Sequence, residues 1–210
     1  MKRALTVQNI INKNYKTIDW DGEWHDAFGI PEASGVWFIW GGSGNGKTRF
    51  VMQLCKELCK TGKVMYVSLE EGSGLTFRNA ISESGMAEVG SRLTIVERDT
   101  DVDFIDSIVA RLKRQRSATA VIIDSFQYTG LSFKQYLDFK QALSNKLIIF
   151  TSQADGKQPS GRTAKAVMYD ASLKIWVEGY RAFSKGRYIG PNGGLYTIWK
   201  EGADRYWGEF

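Results

Sequence analysis

Five short apolar runs recur along the chain, separated by longer stretches in which apolar and polar positions follow a helical rhythm. Val36–Trp40 (VWFIW), Val64–Leu69, Leu93–Val96, Ala120–Ile123 and Leu147–Thr151 are near-continuous in apolar residues. That is the pattern of strands buried on both faces. Between them, Lys47–Lys60, Ser73–Ser84, Asp101–Gln115 and Phe133–Leu143 read as amphipathic helices. Asp101, with Asp103 in the first turn, reads as the N-cap of the third. Alternation of such strands and helices predicts an α/β fold, a mainly parallel sheet flanked by helices.

Beyond Ser152 the texture changes. Gln153–Lys165 (QADGKQPSGRTAK) is polar, glycine-bearing and basic, and reads as a long exposed loop. The segments ASLKIWVEG, YRAFSKGRY and GGLYTIWKEGADRYWGEF then read as short strands joined by turns, antiparallel additions at the sheet edge. Residues 1–33 form a preamble to a domain spanning 34–210. Its stretch IDWDGEWHDAFGIPEAS mixes aromatics with turn residues, so it is expected to pack on the core or on a neighbouring subunit.

Composition narrows the class. The 210 residues suffice for one well-buried α/β domain. No apolar run approaches the roughly 18 residues of a membrane span. The N-terminus lacks the apolar stretch of a signal peptide, so a cytoplasmic, membrane-free protein is expected. A net charge of +5 permits nucleic-acid binding without requiring it. His25 is the only histidine, which excludes histidine-based triads and metal clusters. Cys55 and Cys59 have no second pair, and read as small helix residues of the core.

The chemistry begins directly after the first strand. Gly41, Gly42, Ser43, Gly44, Asn45, Gly46, Lys47, Thr48 and Arg49 contain the spacing G-x-x-x-x-G-K-[ST] of a phosphate-binding loop. Glycines are needed because the backbone must approach a phosphate chain so closely that side chains would collide. The amides form an anion nest, and the following helix aims its positive end at the same charge. Lys47 can reach the terminal phosphates, and the Thr48 hydroxyl can ligate Mg²⁺. The expected ligands are therefore ATP and Mg²⁺.

Hydrolysis needs two further acids' worth of chemistry. In TAVIIDSFQ an apolar strand ends in Asp124, whose carboxylate would emerge beside the loop and support the metal. In VMYVSLEEG a strand, read as the neighbour of the first, delivers Glu70 and Glu71 to the same edge. Either could polarise an attacking water.

These residues resemble the RecA-like ATPases, in particular the ATPase cores of RadA/Sms recombination proteins and DnaB-type replicative helicases. FIWGGSGNGKTRF resembles their phosphate loop, VMYVSLEEG the strand ending in a Glu-Glu pair, and IIDSFQ the strand carrying the metal-supporting Asp. TSQ, at Thr151–Gln153, sits where the family carries a polar sensor, and SKGRYIGPNGGLYTI resembles a segment with a paired Lys and Arg. The likeness spans roughly Val36 to Trp199. It implies a RecA-like P-loop fold, with Glu70 activating water and Gln153 sensing the γ-phosphate. It further implies that Lys185 and Arg187 reach ATP held by a neighbouring copy, in a hexamer or filament. The zinc module and protease-like domain of RadA and the collar of DnaB have no counterpart here. Gly186 stands where RadA has Asn, and Tyr188-Ile189-Gly190 replaces Phe-Gly.

In RecA-like proteins the loops after the Asp124 and Gln153 strands hold single-stranded DNA. The matching segments are Tyr128–Lys134 and Ala154–Lys165, the second carrying Lys157, Arg162 and Lys165. The cluster RLKRQR (Arg111–Arg116) falls at a helix end, where cations offset the dipole. Tyr180, Tyr188, Trp199, Tyr206 and Trp207 could stack bases, but in a strand-rich edge such aromatics more often belong to the core. The expected function is Mg²⁺-dependent ATP hydrolysis coupled to single-stranded DNA, as a recombination or replication accessory or helicase-like motor. The alternatives are an ATP-dependent oligomeric switch acting on protein partners, and a small-molecule kinase.

Overall fold

The computed structural model describes residues 4–70, 72–98 and 103–208. Helices α1 (Val7–Ile11) and α2 (Gly22–Phe28) precede β1 (Gly35–Gly41) and α3 (Lys47–Thr61). There follow β2 (Val64–Ser68), α4 (Leu75–Glu83), β3 (Leu93–Glu97), α5 (Phe104–Lys113), β4 (Ala120–Asp124) and α6 (Phe133–Ala142). The last third comprises β5 (Leu147–Asp155), β6 (Gln158–Pro159), α7 (Arg162–Asp170), β7 (Leu173–Glu178), β8 (Arg181–Gly186), β9 (Gly194–Thr197) and α8 (Lys200–Trp207). The sheet order is β3-β2-β4-β5-β1-β7-β8-β9, with β6 forming a hairpin on β5.

Side-chain alternation explains why the central strands are continuously apolar. Trp37 and Ile39 of β1 point into one core beside Phe50 and Leu54 of α3, and Phe28 of α2. Val36, Phe38 and Trp40 point the other way, among Ile108 of α5, Phe139 of α6 and Val167 of α7. The same division holds along β4 and β5, so both faces are roofed by helices. Burying one such Val, Ile, Leu or Phe side chain contributes about 1.5–3 kcal/mol.

Segment 17–33 lies on the α3 side. Trp20 stacks on Trp24 at 5.4 Å, and Trp24 packs on Phe50 at 6.1 Å and on Tyr196 at 4.6 Å. The bridge Thr17–Glu32 closes this segment.

Four features differ from the sequence-based expectation. Strand β2 does not neighbour β1; β5 and β4 lie between them. Strand β7 pairs parallel with β1, and only β8 and β9 run antiparallel. The expected loop 153–165 is instead the end of β5, the β5–β6 hairpin and the start of α7. Ala164, Val167, Met168 and Ala171, at helical spacing, bury that helix against the sheet. Finally, 200–207 is helical rather than extended, and Gly202 lets that helix approach the aromatics closely: a Cβ there would sit 2.3 Å from Trp199. Asp101 lies outside the described residues; Asp103 caps α5, accepting from the Asp106 amide at 3.4 Å.

Candidate active site

The parallel strands end together at one edge, and the residues with useful chemistry project from that edge. Gly41, at the tip of β1, lies opposite Gln153 of β5 and Val177 of β7. Asp124, at the tip of β4, lies opposite Ser68 of β2, and Glu70 follows two residues later. A cavity of about 580 Å³ opens there, lined by Ser43, Gly44, Gly46, Lys47, Thr48, Arg49, Glu70, Asp124, Gln153, Ala154 and Tyr180. That volume suits a nucleotide-sized ligand.

Local geometry explains the glycines. Gly46 adopts φ +93°, a left-handed conformation that a side chain strains, and a Cβ there would sit 2.8 Å from Tyr180 Cδ1. A Cβ on Gly41 would sit 2.2 Å from the Val177 carbonyl oxygen. Asn45 turns away from the cavity. Its Oδ1 accepts from the Gly179 amide at 2.8 Å and its carbonyl from the Tyr180 amide at 3.1 Å, stapling the loop to the β7–β8 turn. Tyr180 itself has a positive φ of 58°. Its ring meets Trp199 edge-on at 5.0 Å, and the Arg49 guanidinium lies 5.0 Å over Trp199. Tyr180 is thus a cavity wall, not a core aromatic.

Apart from Gln153, the acids are held by groups to which the sequence reading gave no role. The Asp124 carboxylate accepts from the Tyr66 and Thr151 hydroxyls, one on each oxygen. Glu70 accepts from Ser125 Oγ at 3.2 Å and from Gln153 Nε2 at 3.3 Å. Gln127 then ties this edge to the next segment: its Nε2 donates to Ser152 Oγ at 2.7 Å and to the Ser160 carbonyl at 2.9 Å, while its Oε1 accepts from the Gln153 amide at 3.3 Å. Tyr66 and Thr151 sit at buried positions inside apolar strands, so only pairing register places their hydroxyls at Asp124. Beneath the loop, burial pushes the Cys55 thiol well up, with the Cys59 and Asp124 charges adding to it, so it is an inert core group.

Five of the sequence-predicted residues lie elsewhere. Lys185 pairs with Lys174, three residues before Val177, so it sits about 10 Å below the loop along the strands. Lys185 and Arg187 are exposed, and the Arg187 charge acts on Asp170 and Lys174 at the opposite end of the sheet. Lys157 occupies the β5–β6 hairpin, its amine 5.6 Å over Trp176. Arg162 opens α7, and Lys165 lies one turn further on. Glu71 lies outside the described residues.

No protein-family profile matches the chain, and no curated protein matches it in sequence. Among solved structures it is similar to the flagellar accessory protein FlaH from Methanocaldococcus jannaschii, with a TM-score of 0.59. The match covers 87% of this chain and 92% of that one at 16% identity. Likeness at that identity shows the fold, which is RecA-like. Because 671 solved chains match, the fold alone names no substrate. Among the described residues, no helix is long and apolar enough to cross a membrane.

Proposed function

We propose that this chain is a Mg²⁺-dependent ATPase whose site is completed by a second copy and whose turnover responds to single-stranded DNA. The observation that carries the reading is the convergence of the glycine loop, Asp124 and Glu70 on one cavity at a single sheet edge. In this reading, loop amides and Lys47 hold the phosphate chain. Thr48 and Asp124 are the fitting pair for Mg²⁺: both line the cavity, and each Asp124 oxygen already accepts from one hydroxyl, which aims its remaining lone pairs. The ion, when bound, would neutralise charge on the β- and γ-phosphates. Glu70 orients or deprotonates the attacking water, and Gln153, hydrogen-bonded to it, responds to the γ-phosphate.

Charge developing on the transferred group calls for another cation, an effect of about 10³–10⁵ in rate in comparable systems. Lys185 and Arg187 do not line their own chain's cavity, which supports their acting in trans. Gln127 supports the coupling to DNA, since it links Gln153 to Ser160 in the segment bearing Lys157 and Arg162.

Turnover is to be measured with molar mass, with and without single-stranded DNA. Lys47→Ala and Arg187→Ala chains should each be nearly inactive, and their mixture should recover activity. Wild-type turnover by Arg187→Ala alone removes the trans assignment. Absence of any heat on adding Mg²⁺ and ATP removes the whole reading. Assemblies that form with nucleotide yet ignore DNA favour the alternative, a switch acting on protein partners.

A further inference from the structure

We propose that α1 of one copy seats in the groove between α5 and α6 of a second copy, joining the chains head to tail. Helix α1 buries none of its residues. Its segment exposes a run of large apolar side chains: Leu5 at 61%, Val7 at 74%, Ile10 at 51% and Ile11 at 69%. So many exposed in so short a stretch mark an interaction surface rather than the scattered apolar exposure normal for a protein. The helix is nonetheless formed in advance, by a reciprocal cap in which Thr6 accepts from the Asn9 amide at 3.2 Å and Asn9 Oδ1 accepts from the Thr6 amide at 3.1 Å. Residues 4–16 contain Lys13 and Lys16 and no acid.

The α5–α6 groove has the complementary character. It encloses about 480 Å³, with Ile105, Val109, Leu131 and Phe139 among its apolar lining. Asp103, Asp106 and Asp138 rim it against one cation, Lys113. Among the described residues none of these three acids is in a salt bridge. Helices α5 and α6 have 10 residues each and so run about 15 Å, long enough to accept the roughly 7.5 Å of α1 with its flanks. An apolar floor with an acidic rim fits an apolar helix followed by lysines.

Placement makes the contact propagate. The segment after α1 enters the domain at Ile18, buried in the core on the α2–α3 side, whereas α5 and α6 cover the other face of the sheet. Two different surfaces that fit each other make a heterologous interface, which closes into a ring or extends as a filament. This seam deepens the assembly part of the reading above and rests on it for the use made of the contact, while its existence is testable without nucleotide turnover.

The test is light scattering on the full chain over a range of concentrations, with and without Mg²⁺ and ATP. The wild type should gain mass with concentration. Ile10→Asp/Ile11→Asp alters only exposed positions, and Asp106→Lys/Asp138→Lys only the rim and the first-turn charge of α5, so both variants should melt within a few degrees of the wild type. Each should weaken self-association by about tenfold or more. Mixed, they should form dimers and nothing longer, since one seam survives per pair. A wild type that stays monomeric at every concentration, whether because α1 folds back or awaits a different protein, overturns the seam. So do variants that assemble as the wild type. A monomer that hydrolyses ATP would refute the seam and the completion of the site in trans, and leave nucleotide binding standing; an assembly that binds no ATP would refute only the nucleotide reading.

Discussion

Replacing Glu70 by glutamine separates its chemistry from its structural role. In the native site its two oxygens accept from Gln153 Nε2 at 3.3 Å and from Ser125 Oγ at 3.2 Å. A glutamine has the same length. Its amide oxygen can keep the Gln153 bond, and the rotatable Ser125 hydroxyl can turn to accept from the amide N–H. At this exposed position the folding loss should therefore stay below about 1 kcal/mol, the net worth of one hydrogen bond. In a chain of this size that is a melting shift of about 2–4 °C at most. On the proposed role, in which Glu70 orients the water or takes its proton, the substitution should instead lower kcat by about 10²–10⁴. At about 1.36 kcal/mol per decade this is about 2.7–5.4 kcal/mol of transition-state stabilisation. Phosphate release at saturating ATP gives the rate, a fluorescent nucleotide gives the affinity, and a thermal melt gives the stability. Nucleotide affinity should be retained. A Glu70→Gln rate within threefold of wild type would refute the assignment, and a large loss in Glu71→Gln alone would move the role to that neighbour.

Gly46→Ala should lower nucleotide affinity at least tenfold and cost about 1–2 kcal/mol of folding, because a Cβ there meets the Tyr180 ring and a left-handed φ; titration and a melt check both, and unchanged affinity would deny the loop its close approach. Asp170 offers a pH test. Burial raises its pKa, but the Lys140 and Tyr136 hydrogen bonds and the Arg187 charge bring it below the ordinary carboxylate value. A lowered folded pKa means stabilisation complete above about pH 4 and lost as pH falls through the folded value. The urea-midpoint penalty of Asp170→Asn should therefore shrink from pH 7 towards pH 2, and a constant penalty would contradict it. Lys157→Ala/Arg162→Ala should leave DNA-free ATP turnover unchanged and abolish its stimulation by single strands. The salt slope of binding should fall by about 0.7 per lost phosphate contact, and an unchanged slope would place the DNA elsewhere.

Much of the fold was legible because buried parallel strands must be continuously apolar and their covering helices amphipathic. The helix Phe133–Ala142 lies within the span that periodicity predicted. The glycine loop between β1 and α3 was legible for a local reason, since its spacing encodes a backbone shape that a contiguous segment can satisfy alone. Helix α7 was missed because the polar, glycine-bearing start of its segment hid the spacing of Ala164, Val167 and Met168. Helix α8 was missed because its glycine is chosen for a flat contact with Trp199, which no local pattern announces.

The linear chain by itself determined the α/β class, the glycine loop that follows β1, and the acids at or just past the strand tips, all consequences of short-range spacing. Only tertiary packing decided that β4 and β5 separate β2 from β1, that Gln153 reaches Glu70, and that Tyr180 walls the cavity beside Gly46. It also placed Lys185 and Arg187 away from their own loop. Strand order and register depend on how distant surfaces pack, and residues more than 80 positions apart meet only once that packing is complete.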